Sequence, residues 1–197
     1  MNRMHALSLA AILTASACAS APAVGSSDGA ANAVAGEQVV AVRLANALAD
    51  AADAEARGDT KTLAKAVQMI DASGPHPLEA SPSDPLPAWR DAARGEATPP
   101  YRGRPLGPGY RSGKLGVGGR ESFSQLFLSG TGATIALSAP TGDKLALRVL
   151  DPQLKPICTD ESGRGGLCKW VPLFTQRYTI EVMNRGVGDA RYFLVVQ

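Results

Sequence analysis

The residues able to do chemistry are few. The chain holds three cysteines, Cys18, Cys158 and Cys168, and two histidines, His5 and His76. Cys158 and Cys168 flank a polar, glycine-rich stretch that contains Asp160-Glu-Ser-Gly-Arg164. In an oxidising compartment two thiols at that spacing form a disulfide. The rivals are a metal pair and a reactive thiol. Zinc asks for three or four Cys, His or carboxylate ligands at set spacing. His5 lies in an apolar leader and His76 in Gly74-Pro-His-Pro77, so neither completes a site. A hydroxyl nucleophile meets the same shortage of a base. No serine stands in the strand–nucleophile–helix setting that a G-x-S-x-G elbow requires.

Asp160 and Glu161 are adjacent carboxylates in the cysteine-closed loop. They are candidates for acid–base work or calcium binding, although Asp-Glu-Ser-Gly more often makes a solvated turn. Arg148, Arg177 and Arg191 fall on β-segments, and a basic stripe of that kind suits anionic glycans. Trp170, Tyr178 and Tyr192 would make a sugar platform if they faced outward. Alternation instead puts Tyr178 on the side of Ile180 and Val182, which favours the core for the aromatics. Gly116-Val-Gly-Gly119 and Gly163-Arg-Gly-Gly166 do not lie between a strand and a helix, so they are turns and not phosphate cradles. The sequence offers no catalytic residue, no metal site and no cofactor site. Its weak binding candidates are Arg148, Arg177, Arg191, Asp160 and Glu161.

The elements that position these residues follow in order. Residues 1–19 read as a secretory signal: Arg3, an apolar run from Ala6 to Leu13 too short to span a bilayer for good, then small residues. Cys18 leaves two outcomes open, simple cleavage or lipidation. Residues 20–36 are expected to be a flexible leader. Residues 37–73 carry two apolar stripes at helical spacing, broken at Gly58 and capped again by Asp59 or Thr60, which predicts a helical hairpin. Its small-residue stripe is marginal alone, so the β-domain or a second copy must cover it. Residues 74–109 hold nine of the fourteen prolines and read as a linker whose Trp89 packs on a neighbouring surface.

From residue 110 to 197 eight short strands alternate with turn residues. The predicted inward set is Phe123, Ile135, Leu137, Leu145, Leu147, Val149, Ile180, Val182 and Leu194. The fold class is α+β by segregation: an N-terminal α-helical hairpin, then an antiparallel jelly-roll-like β-sandwich. From residue 101 onward 13 Lys/Arg face 7 Asp/Glu, scattered and not in a run. Export makes nucleic acid an improbable partner.

The order Asp143-x-Leu-x-Leu-x-Val-x-Asp151, a loop cysteine, Cys168-x-Trp170-x-Pro172, then Tyr178-x-Ile-x-Val-x-Asn184-x-Gly186 is similar to the bacterial pre-peptidase C-terminal domain family. The resemblance covers about residues 110–197. It implies a jelly-roll-like β-sandwich on secreted bacterial proteins, associated with secretion, processing or binding and not itself catalytic. In some related domains acidic loop residues bind calcium, and the counterparts here are Asp143, Asp151 and Asp160. The expectation is a periplasmic or secreted envelope protein of binding or accessory type, whose partner is envelope polysaccharide or another envelope protein. Membrane contact is expected only through an anchor at Cys18. Rival readings are a cell-wall-binding module, a hydrolase, and an interaction protein acting through the hairpin.

Overall fold

A computed structural model describes residues 27–79, 84–93, 107–140, 143–163 and 165–197, with the backbone alone for 27–39. The expected signal segment, Cys18 and the first part of the leader lie outside the described residues.

Helix α1 spans Ser27–Arg57 and α2 spans Thr60–Ser73. The first begins ten residues ahead of the expected Glu37. The reason is local: Ala30, Ala31, Ala33 and Ala35 are strong helix formers, and Gly36 costs only about 1 kcal/mol, too little to stop a helix. Gly58 turns the chain with φ +66°, a conformation open to residues without a Cβ. Asp59 then accepts a hydrogen bond from the Thr62 amide at 3.0 Å and caps α2.

Two described parts of the proline-rich stretch pack on the rest of the fold. A two-residue strand β1 (His76–Pro77) pairs in parallel with β2 (Gly109–Leu115), and α3 (Leu86–Ala93) buries Leu86 and Trp89. The remaining strands are β3 (Arg120–Phe127), β4 (Ala133–Ser138), β5 (Leu145–Leu150), β6 (Pro156–Asp160), β7 (Gly166–Trp170), β8 (Gln176–Asn184) and β9 (Ala190–Val196). All eight strands expected from residue 110 are present. They form two sheets: β1-β2-β9-β4-β7, and β3-β8-β5-β6. Apart from β1, every pairing is antiparallel.

The molecule has three layers. Between the sheets lie Ile135, Leu137, Leu145, Leu147, Val149, Tyr178, Ile180, Val182, Tyr192 and Leu194. Phe123 packs against them from the edge. The other face of the first sheet supplies Tyr110, Ala136, Phe193 and Val195 to a second core shared with all three helices. The hairpin's companion is therefore the sandwich of the same chain. β9 alternates between the two cores, Tyr192 and Leu194 toward one, Phe193 and Val195 toward the other. A strand buried on both faces reads as a continuous apolar run, and Tyr-Phe-Leu-Val-Val is one. β3 borders solvent on one side and keeps strict alternation from Arg120 to Leu126.

Two details fix the sandwich. Gly113 on β2 faces Tyr192, where a Cβ would sit 2.5 Å from the ring, so only glycine lets the strands approach. Arg111 bridges the open β2/β3 edge: its Nε donates to Glu121 at 3.0 Å, it pairs with Glu79 at 2.6 Å, and its guanidinium lies 4.8 Å from the Phe123 ring centre. Among the described residues no helix is long and apolar enough to cross a membrane.

Candidate functional site

The cysteines behave as their spacing predicts. Cys158 on β6 and Cys168 on β7 form a disulfide, and because those strands belong to opposite sheets the bond staples the sandwich at its edge. Cys168 is fully buried, which removes it from reaction with solvent species.

The acidic candidates are tied into the fold separately. The Asp160 carboxylate accepts from the Ser162 amide at 3.0 Å and the Leu167 amide at 2.9 Å. Burial pushes its pKa up, but those hydrogen bonds outweigh it and hold the group below its ordinary value. Glu161 points elsewhere, to Arg185 at 3.3 Å and Arg148 at 3.9 Å. Neither pairing leaves two carboxyls converging on a reaction centre. The calcium set implied by the family resemblance does not assemble either. Asp143 accepts from the Arg191 amide, Asp151 from the amides of Gln153 and Lys155, and Asp160 as above. Among the described residues no group of three His, Cys, Asp or Glu is placed to hold a metal ion.

The three arginines divide between the sheets. Arg148 lies opposite Glu181 on the outer face of the second sheet and reaches it at 3.8 Å; Arg177 lies on the same face, exposed, opposite Leu126. Arg191 is on the first sheet and turns toward the helices. There it pairs with Glu55 at 3.2 Å and stands over the rings of Trp89 (5.5 Å) and Phe193 (5.3 Å). It locks the helical layer down and belongs to no stripe with the other two. Tyr178 and Tyr192 are buried, and Trp170 packs edge-on to Phe127 at 4.8 Å and beside Tyr178 at 5.3 Å. These rings are floor, not platform.

The spacing G-x-S-x-G does occur once, at Gly25-Ser-Ser-Asp-Gly29. Ser27 opens α1, and among the described residues no strand leads into it. It lacks the elbow that would present a nucleophile.

What the sequence reading missed lies above the aromatic floor. Three connections emerge at one end of the sandwich: β3–β4 (residues 128–132), β5–β6 (151–155) and β7–β8 (171–175). The register places them together, since Phe127 pairs with Gln176 and Leu150 with Thr179. The Gly130 amide donates to the Pro172 carbonyl at 2.9 Å and the Ser129 amide to the Thr175 hydroxyl at 3.0 Å, so two of the loops brace each other. On this frame Leu128 (57% exposed), Leu154 (68%), Val171 (56%), Leu173 (83%) and Phe174 (70%) face solvent. Burying a Leu, Val or Phe side chain is worth roughly 1.5–3 kcal/mol, and here that gain is left for something outside the fold. The signal was available: Val171-Pro-Leu-Phe174 puts three large apolar residues in a proline turn, where polar ones are usual. A cavity of about 380 Å³ opens at the same end, lined by His76, Leu78, Phe127, Leu128 and Val196 among others.

These features define a helix-covered, disulfide-stapled β-sandwich with an apolar end. No family model matches the chain, and no curated protein matches it. Solved structures similar to part of it include the pre-peptidase C-terminal domain of a collagenase from Bacillus anthracis, at 18% identity and a TM-score of 0.38, covering 45% of this chain and 87% of that one. Aeromonas hydrophila PliG, a periplasmic inhibitor of g-type lysozyme, is similar at 11% identity and a TM-score of 0.38, covering 62% and 94%. The CBM36-1 domain of a multidomain xylanase from the hindgut metagenome of Trinervitermes trinervoides is similar at 22% and 0.28, covering 43% and 75%. The likeness is one of β fold, and no functional property passes from these proteins to this chain.

Proposed function

We propose that the chain is an exported envelope protein of non-catalytic binding or accessory type, built on a β-sandwich of the pre-peptidase C-terminal kind, which meets its partner with the apolar end of the sandwich. The observation that carries this is the cluster of Leu173, Phe174, Val171 and Leu128 on two mutually braced loops, with Leu154 on the loop beside them, which gathers five of the large apolar side chains that the described residues leave exposed at one end of the sandwich. Export is supported by the Cys158–Cys168 staple, which persists only where thiols are oxidised. The adjacent carboxylates are held apart, Asp160 by backbone amides and Glu161 by Arg185, and Arg148 is paired with Glu181. Among the described side chains the hairpin's apolar stripe, from Ala41 to Ile70, packs in the core it shares with the first sheet, which favours the apolar end over the hairpin as the contact surface.

The test is retention of residues 20–197, which keep every described element, on an envelope fraction. The pair Leu173→Asp/Phe174→Asp should reduce retention about tenfold or more, since two apolar side chains are lost from the contact. Equal retention of variant and wild type removes the apolar end from the account.

A further inference from the structure

The apolar end also carries information about what it meets. We propose that its partner surface is an anionic lipid bilayer, entered by Leu154, Leu173 and Phe174 to the depth of the headgroups. The inference rests on the binding-module reading above and names the chemistry of its partner. It departs from the expectation that membrane contact would come only through Cys18.

The first ground is charge. Within the three loops and the strand ends beside them, the charged side chains are Lys155, Lys169, Arg177 and Asp151. Lys169 is already engaged within the fold, and Lys155 and Arg177 face one acid, Asp151, whose carboxylate accepts from the amides of Gln153 and Lys155. The opposite end makes the contrast. It too exposes apolar residues, Val117 and Val187, but among mixed ion pairs, Lys114 with Asp189 at 3.2 Å and Arg185 with Glu161 at 3.3 Å. Exposed Leu and Phe with cations behind them match a negatively charged interface, where the cations stay at the headgroups and the apolar groups pass below.

The second ground is size and composition. A stable protein–protein contact takes about 20–30 residues of all kinds a side, whereas the three loops that form this end hold fifteen residues between them. A sugar site pairs its aromatic ring with convergent hydrogen-bond groups, whereas the exposed ring of Phe174 shares its two braced loops with exposed Leu173, Val171 and Leu128. A bilayer requires neither a large complementary area nor directed hydrogen bonds. It requires apolar side chains held outward on a stiff support, as the Gly130–Pro172 and Ser129–Thr175 hydrogen bonds provide.

Flotation of residues 20–197 with vesicles tests this in the absence of any acyl group on Cys18. The protein should float with phosphatidylcholine vesicles containing phosphatidylglycerol and stay down with phosphatidylcholine alone. Raising the salt should weaken flotation by screening. Leu173→Asp/Phe174→Asp should lower the bound fraction about tenfold or more, and Arg177→Glu should lower it with anionic vesicles, both with unchanged melting temperature. A wild-type protein that ignores anionic vesicles overturns the lipid inference. If it is still retained by isolated peptidoglycan or a protein partner, and the double variant is not, the module reading stands and only its ligand was wrong. If the double variant matches wild type in every assay, both fail.

Discussion

Replacing Trp89 by alanine asks whether the helical layer and the sandwich are one cooperative unit. Trp89 is 1% exposed, its ring centre 5.9 Å from that of Phe193 on β9 and 5.5 Å from the Arg191 guanidinium. Truncating a buried Trp to Ala costs roughly 3–5 kcal/mol, of which the aromatic pair supplies about 0.5–1.5. The indole N–H meets no acceptor among the described residues, so its removal sacrifices no hydrogen bond. The expected cost is therefore at the low end, about 3 kcal/mol. For a chain of this length that shifts the melting temperature by about 6–12 °C. The assay is urea unfolding, followed by circular dichroism for the helices and by fluorescence of Trp170, the one tryptophan left. Both signals should move together to lower urea with an unchanged slope. A loss below about 1 kcal/mol, or a helix signal that melts first while the Trp170 transition stays where it was, would refute the shared core and return the helices to the status of an appendage.

Three further outcomes follow from the same structure. Cys158→Ser/Cys168→Ser opens a loop with sequence separation 10 and should cost about 2.7 kcal/mol by loop entropy, matched by adding reductant to the wild type and read in urea melts. Asn184→Ala should cost roughly 2–3 kcal/mol, because the buried amide donates to the carbonyls of Leu115, Gly116 and Gly188 and accepts from the Gly186 amide, tying two turns together. Asp160 has a folded-state pKa below its ordinary 3.8, so its contribution is present above that value and fades as pH falls through it toward the folded one. The urea midpoint of Asp160→Asn should therefore lie below wild type at pH 6 and converge with it below about pH 4; a gap that widens on acidification contradicts the hydrogen-bond assignment.

The β half was legible because alternation and turn residues are local signals. β3, with Ser122, Ser124 and Leu126 outward and Phe123 inward, announces both its state and its orientation. β4 and β9 were found as strands, but their second buried face was not anticipated, although Ala-Thr-Ile-Ala-Leu-Ser and Tyr-Phe-Leu-Val-Val carry no charged residue to face water. The early start of α1 was obscured by reading small residues as flexible, when alanine is the strongest helix former. β1 was hidden because proline marks where hydrogen bonds cannot form and is silent on whether a segment docks. Ion pairs such as Arg191–Glu55 join residues 136 apart in the chain, and no spacing rule reaches that far. The apolar end was missed for a different reason. Its residues come from three loops that only the strand register brings together.

The central claim is that this end is the working surface. Its most direct test is the double variant Leu173→Asp/Phe174→Asp, compared with wild type for melting temperature and for retention on an envelope fraction. Both side chains are exposed, so stability should change by no more than about 0.5 kcal/mol. Retention should fall about tenfold or more. Wild-type retention in a folded variant would contradict the account.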